Sequence, residues 1–269
     1  MKYYVVADVH GFGTLLKKTL KDDDEEPHKL IVCGDLMDRG KEACMMQEFM
    51  LDLMKKGELI LIRGNHEDLM LDLLKNFDSY KRDILLGVSH HVHNGTFDTA
   101  LQLSKMEQVE VIHNKSEFLK RMYESPFVKE LIPSSVNYFE TKRYVFVHGW
   151  IPCQALGISP YHMKYYKKPD WKRAGKKAWE EARWVHGIDA AHDGVILEGK
   201  TVICGRSASA AHCRRCGAAG RCRRSRPTRP SPNRTRQRRR DVRPASAPHD
   251  KVPRTARRPG ARLRQGDSP

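Results

Sequence analysis

The chain has 269 residues, 39% of them apolar, and a formal charge of +16. That length and apolar content suffice for one substantial core and exclude a peptide-sized module. A charge of this size points to a polyanion partner only if it covers the surface, whereas here it is confined: Arg206 to Pro269 hold 19 Arg, one Lys and three acids, and residues 1–205 are close to neutral.

Lys2 to Ala7 reads as a short apolar strand, too short for a signal-peptide core or a membrane span, so a cytoplasmic protein without membrane contact is expected. Thr14 to Lys21 reads as helix and Lys29 to Cys33 as a second strand. Glu42 to Lys56 is predicted to be a helix, because Met46, Phe49, Met50 and Leu53 share one face and Gly57 is placed to end it. Glu58 to Ile62 follows as a third strand. This β-α-β-α-β rhythm predicts an α/β fold, in which loops at the C-terminal ends of strands carry the chemistry.

From about Glu67 to Glu140 the pattern is mostly helical and polar, which suggests a helical insertion or lid over the site. Arg143 to Val147 is a further strand, Tyr161 to Trp184 a basic aromatic stretch, and Lys200 to Cys204 the last strand. Cys33, Cys44, Cys153 and Cys204 are widely spaced, as reduced thiols are in a cytosolic protein. Past Gly205 the chain is dominated by Pro, Arg, Ser and Ala, contains no Phe, Trp or Tyr and has no apolar period. Two regions follow from this: a folded domain over 1–205 and a disordered Arg/Pro-rich tail over 206–269.

Three dense polar motifs each follow an apolar strand: Asp8-Val9-His10-Gly11, Gly34-Asp35-Leu36-Met37-Asp38-Arg39-Gly40 and Arg63-Gly64-Asn65-His66-Glu67. A fourth strand ends in His148-Gly149. Carboxylate, amide and imidazole donors together suit Mn, Fe or Zn, and an Asp between two cations bridges them with its two oxygens. Taken singly, each residue has an ordinary reading: Asp8 as a turn cap, His10 on the surface, Gly40 and Gly64 as turn glycines, Arg63 and Arg183 in structural ion pairs. Four motifs in this order at strand ends leave little room for coincidence.

Together they resemble the calcineurin-like metallophosphoesterases, and within these the bacterial serine/threonine protein phosphatases, over Met1 to about Gly205. The resemblance implies a β-sandwich flanked by helices, its C-terminal part here missing or out of frame. It implies two divalent metal ions, the first held by Asp8 and His10, the second by Asn65 and His148, with Asp35 bridging. Two such cations bring the pKa of a shared water towards neutrality for attack on phosphorus. His66 would be the general acid, oriented by Asp38, and Arg39 would clamp the phosphate, with Arg183 and then Arg63 as further substrate contacts. The implied substrates are phosphoserine or phosphothreonine proteins, with dinucleoside polyphosphates or other small phosphoesters as the alternative. Asn94-Gly95 to Leu101 resembles a segment of the bacterial relatives that shapes the substrate entrance. Ser89-His90-His91-Val92-His93 reads instead as a solvated polar run.

The pattern breaks at one place. Where the family runs from its last strand into Gly-His, this chain has Gly205-Arg206, which removes a metal ligand and adds a positive charge. The break coincides with the change in composition, and one event, a shift of reading frame near codon 206, accounts for both. The rival expectation is a noncatalytic protein whose basic tail binds nucleic acid nonspecifically, through phosphates alone, because no aromatic residues are present to stack on bases. Oligomeric state is not legible.

Overall fold

The computed structural model describes residues 2–20, 27–159 and 162–205, all within one compact unit. The expectations for Arg206 and the tail lie outside the described residues.

Three parallel strands, β1 (Lys2–Val6), β2 (His28–Cys33) and β3 (Leu59–Ile62), form a first sheet in that order. Tyr4 is aligned with Leu30 and Val32 with Leu61. Helix α1 (Gly13–Thr19) joins the first pair and α2 (Ala43–Lys55) the second; Gly57, at φ +72°, lets the chain turn out of α2 into β3. A run of helices follows: α3 (Asn65–Lys75), α4 (Phe77–Leu85), α5 (His90–His93), α6 (Thr96–Ser104), α7 (Gln108–His113) and α8 (Lys115–Glu124). A π turn (Phe127–Leu131) and the short α9 (Ile132–Ser134) close it.

A second sheet holds β4 (Phe139–Glu140), β5 (Tyr144–Val147) and β8 (Thr201–Cys204), with β5 central, antiparallel to β4 and parallel to β8. Between β5 and β8 lie a hairpin, β6 (Cys153–Ser159) and β7 (His162–Lys167), and the helices α10 (Lys176–Ala182) and α11 (Gly187–His192).

Side-chain alternation along the strands sorts three layers. Leu30 and Val32 of β2 face the helices α2–α8, while Ile31 and Cys33, with Ile62 of β3 beside them, face Phe146 of the second sheet across the gap. On β5, Val145 and Val147 point the other way, into Trp150, Trp171 and Trp179. The result is the two-sheet sandwich flanked by helices that the sequence implied.

One expectation needs correction. The helical run after Glu67 is not a polar lid but a principal part of the core: Leu73, Phe77, Phe97, Phe118 and Phe127 are all buried in one cluster with Leu30, Val32 and Leu61 of the first sheet. Burying each such side chain contributes about 1.5–3 kcal/mol, so this layer is as necessary to the fold as the sheet it covers.

Candidate metal centre

The chain segments leaving β1, β2, β3 and β5 meet, and their backbones are stitched together before any side chain is considered. His10 N donates to Asp35 O, Gly11 N to Leu36 O, and Gly40 N to His10 O, each at 2.9 Å. Gly34, at φ +77°, leaves no room for a side chain, since a Cβ there would lie 2.5 Å from His148 Nδ1. Asp8, His10, Asp35, Asp38 and Arg39 all sit in the left-handed region, at φ +49° to +74°, and among the described residues only Lys105 joins them as a non-glycine. Left-handed backbone away from glycine is unfavourable and collects at functional sites.

Asp35 lies at the centre, 5% exposed. Its Oδ2 faces His10 Nε2 at 3.9 Å and His66 Nε2 at 3.8 Å, while its Oδ1 faces His148 Nε2 at 3.3 Å. Each carboxylate oxygen therefore addresses its own ligand group: His10, Asp35 and His66 on one side, Asp8, Asp35 and His148 on the other. Burial pushes the Asp35 carboxyl up from its ordinary range, because desolvation disfavours the charged form.

The imidazoles are aimed. His148 Nδ1 lies 2.8 Å from Cys33 O and His10 Nδ1 3.1 Å from Met37 O. A carbonyl only accepts, so both rings donate from Nδ1 and leave the Nε2 lone pair facing inward, as ligating histidines do. His148 Nε2 then confronts Asn65 Oδ1 at 2.7 Å as well as Asp35 Oδ1. An imidazole nitrogen, an amide oxygen and a carboxylate oxygen gathered at one point are donor types that divalent metal takes, and the set fits such an ion. On the other side, Arg39 Nη1 donates to His10 Nε2 at 2.8 Å and Nη2 reaches His66 Nε2 at 3.4 Å. Burial, then the Arg39 charge, lowers the His10 pKa.

His66 donates from Nδ1 to Asp38 Oδ2 at 2.7 Å. Burial depresses its pKa, but the Asp38 bond and the Asp35 charge outweigh it, and the net shift is upward. Asp38 is itself fixed: Thr96 Oγ1 donates to its Oδ2 at 2.7 Å, and its backbone N–H donates to Thr99 Oγ1 at 3.0 Å. The segment from Asn94 thus shapes the site by holding Asp38, and Thr96 and Thr99 are contributors that motif reading missed.

Glu67 is the other contributor without an assigned role. Wholly buried at the start of α3, it accepts from Gly64 N at 2.7 Å, Leu36 N at 2.9 Å and Asp35 N at 3.1 Å. One carboxylate so ties the β2 loop to the β3 loop. A buried donor left unpaired costs about 1–3 kcal/mol, and Glu67→Ala strands three. We expect it to lower the unfolding free energy by about 3 kcal/mol or more, read as a shifted urea midpoint; an unchanged midpoint would contradict the role given to Glu67.

Three expectations meet a different arrangement. Asp8 was paired with His10, but it groups with Asp35 and His148, its carboxylate 3.8 Å from the Nδ1 of His148, and His66 stands beside His10. Asp8 Oδ1 lies against Gly205 at the end of β8, whose backbone N–H donates to His148 O at 2.9 Å. Arg63 and Arg183, read as phosphate contacts, converge on Asp68: Arg63 Nε lies 2.9 Å from Oδ1 and Arg183 Nη1 3.0 Å from Oδ2, charge contacts poorly aligned for hydrogen bonding. Arg183 Nη2 donates to Asn137 Oδ1. Finally, His91 is fully buried, not solvated.

Residues 1–205 match the sequence profile described as calcineurin-like phosphoesterase. The chain is 35% identical over 71 residues to Serine/threonine-protein phosphatase 1 of Salmonella typhimurium, covering 26% of this chain and 31% of that protein. It is 27% identical over 135 residues to the asymmetrical bis(5'-nucleosyl)-tetraphosphatase PrpE of Bacillus subtilis, covering 46% of this chain and 50% of that one. The chain thus spans between about a third and half the length of these curated relatives. Among solved structures, a serine/threonine phosphatase from Saccharomyces cerevisiae aligns with 23% identity and a TM-score of 0.34, covering 56% of this chain and 39% of that one. A hypothetical protein from Pyrococcus horikoshii OT3 aligns with 16% identity and a TM-score of 0.34, covering 76% and 77%. Among the described residues no helix is long and apolar enough to cross a membrane.

Proposed function

The chain belongs to the calcineurin-like phosphoesterase family, and from that premise we propose that it descends from a two-metal phosphomonoester hydrolase acting on phosphoserine or phosphothreonine. The observation that carries this reading is Asp35, whose two oxygens face two separate ligand groups. His10, His66, Asp8, Asn65 and His148 would complete the two positions. The bound cations supply an acidified water and neutralise phosphate charge.

The rest is the work of side chains. Arg39, which spans His10 and His66, would leave both to clamp two phosphate oxygens with its planar fork. His66, held by Asp38, would carry a proton at Nε2 for the leaving oxygen. Arg63 and Arg183 would act indirectly, by holding Asp68 and so the first turn of α3. A cavity of about 560 Å³ opens beside Arg39, lined by Phe12, Leu15, Lys18, Lys41 and Glu42. Its exposed apolar surface suits the residues flanking a phosphorylated side chain. Its two lysines equally suit a polyphosphate, which is the specific ground for the second reading, a dinucleoside polyphosphate hydrolase.

We further propose that Arg206 weakens the centre. Gly205, which follows β8, lies against Asp8 and donates to His148 O, so the described chain ends at the ligand group, and the family's histidine position follows it in sequence. Purified chain and its Arg206→His variant should be assayed with Mn²⁺ on p-nitrophenyl phosphate, a phosphoserine peptide and diadenosine tetraphosphate. The variant is expected to be faster by about tenfold or more, the scale of losing one metal-tuning group. The reading is abandoned if neither protein hydrolyses any of the three.

A further inference from the structure

A second cluster of ligating side chains lies on the helices and shares no residue with the centre above. Asp72 of α3 and His90 and His91 of α5 bring one donor atom each to within 4.8 Å of one another. His91 is wholly buried, yet neither ring nitrogen has a hydrogen-bond partner. Leaving such a group unpaired costs about 1–3 kcal/mol. Its Nε2 is aimed at Asp72 Oδ2 across 3.3 Å without the alignment of a hydrogen bond. Tetrahedral bonds of about 2.0–2.1 Å set neighbouring ligand atoms about 3.3 Å apart, so the pair already stands at the spacing that a shared metal imposes.

The surroundings are those of a ligand set. Asp72 is oriented by two donors, Tyr80 OH to Oδ2 at 2.7 Å and Asn76 Nδ2 to Oδ1 at 2.8 Å, the outer support that ligating carboxylates receive. The Tyr80 ring stands edge-on to both imidazoles, 5.2 Å from His90 and 4.5 Å from His91, and fixes their planes. Burial, followed by the His90 charge, pulls the His91 pKa down to about 4. His90 is exposed, which leaves an entry path and room for water as a fourth ligand.

The geometry points to a zinc site formed by Asp72, His90 and His91. Two imidazoles, one carboxylate and an open fourth position suit Zn²⁺. Bound there, the metal ties α3 to α5, and α5 leads directly into Gly95, Thr96 and Thr99, which buttress Arg39 and Asp38. Its effect on the first centre is thus to stiffen the support of Asp38. The inference rests on no part of the phosphatase reading.

The full chain, stripped with chelator, is titrated with Zn²⁺ against a chromophoric competitor, in parallel with His90→Ala, Asp72→Asn and His10→Ala. His90 is exposed and Asp72→Asn preserves shape, so neither change threatens folding, which circular dichroism checks. The parent is expected to bind one equivalent that His10→Ala keeps and that both His90→Ala and Asp72→Asn bind at least about tenfold more weakly. Co²⁺ in the same site should show the intense visible bands of tetrahedral coordination in the parent and lose them in His90→Ala. Zinc binding of equal stoichiometry and affinity in the parent, His90→Ala and Asp72→Asn overturns the assignment, as does parent binding only at millimolar zinc. Loss of an equivalent in His10→Ala alone bears on the first centre and leaves this one without support.

Discussion

Asp35→Asn is expected to release both metals of the first centre together and to bring phosphoester hydrolysis below about a thousandth of the parent rate. Among the described residues, this carboxylate alone addresses both ligand groups, Oδ2 towards His10 and His66 and Oδ1 towards His148. An amide keeps the shape but loses the charge and turns N–H donors towards one of those groups, where a cation should sit. Its backbone bond to Glu67 is untouched, so the fold should survive. Metal analysis of the purified variant decides the matter even if the parent is slow. Retention of two equivalents by Asp35→Asn would remove the basis for a bridging role.

His66→Asn separates two roles that the geometry leaves side by side, because His66 belongs to a ligand group and also donates to Asp38. If the ring serves as proton donor, the variant keeps its metals and slows hydrolysis of a phosphoserine peptide by about 10²–10⁴. Hydrolysis of p-nitrophenyl phosphate should fall much less, because p-nitrophenolate departs without a proton. Equal losses on both substrates together with loss of a metal would make His66 a ligand instead.

Much of this was legible because the local code is strong. Apolar runs of four to six residues ending in polar motifs mark β1, β2, β3, β5 and β8, and the observed strands differ from the expected ones by a residue or so at their ends. The convergence of Asp35, His10, His66 and His148 follows once such strands lie side by side. What stayed hidden depends on partners distant in sequence. His91 looks solvated among its polar neighbours, and only the packing of α5 against α6 and the approach of His91 to Asp72 of α3 show that it is buried. Arg63 and Arg183 stand 120 positions apart, and nothing local signals that both reach Asp68. The β6–β7 hairpin was masked by Gly157 and by the Lys and Tyr residues of its second strand, whose alternation reads as a basic surface. The helical layer looked like a lid because its apolar residues are diluted by charged ones on the outer faces.

The five left-handed residues of the centre bear on the history of the chain. Each holds a backbone conformation that costs about 1 kcal/mol or more, and the surrounding loops hold it in place. Selection for catalysis retains such residues, and once that selection lapses, drift to glycine or asparagine at these positions is favoured by stability alone. Asp8, His10, Asp35, Asp38 and Arg39 are all still in place. If the sequence beyond Gly205 arose by a shift of frame, the expected signature of lost selection, glycine or asparagine at these five positions, is not what the chain carries.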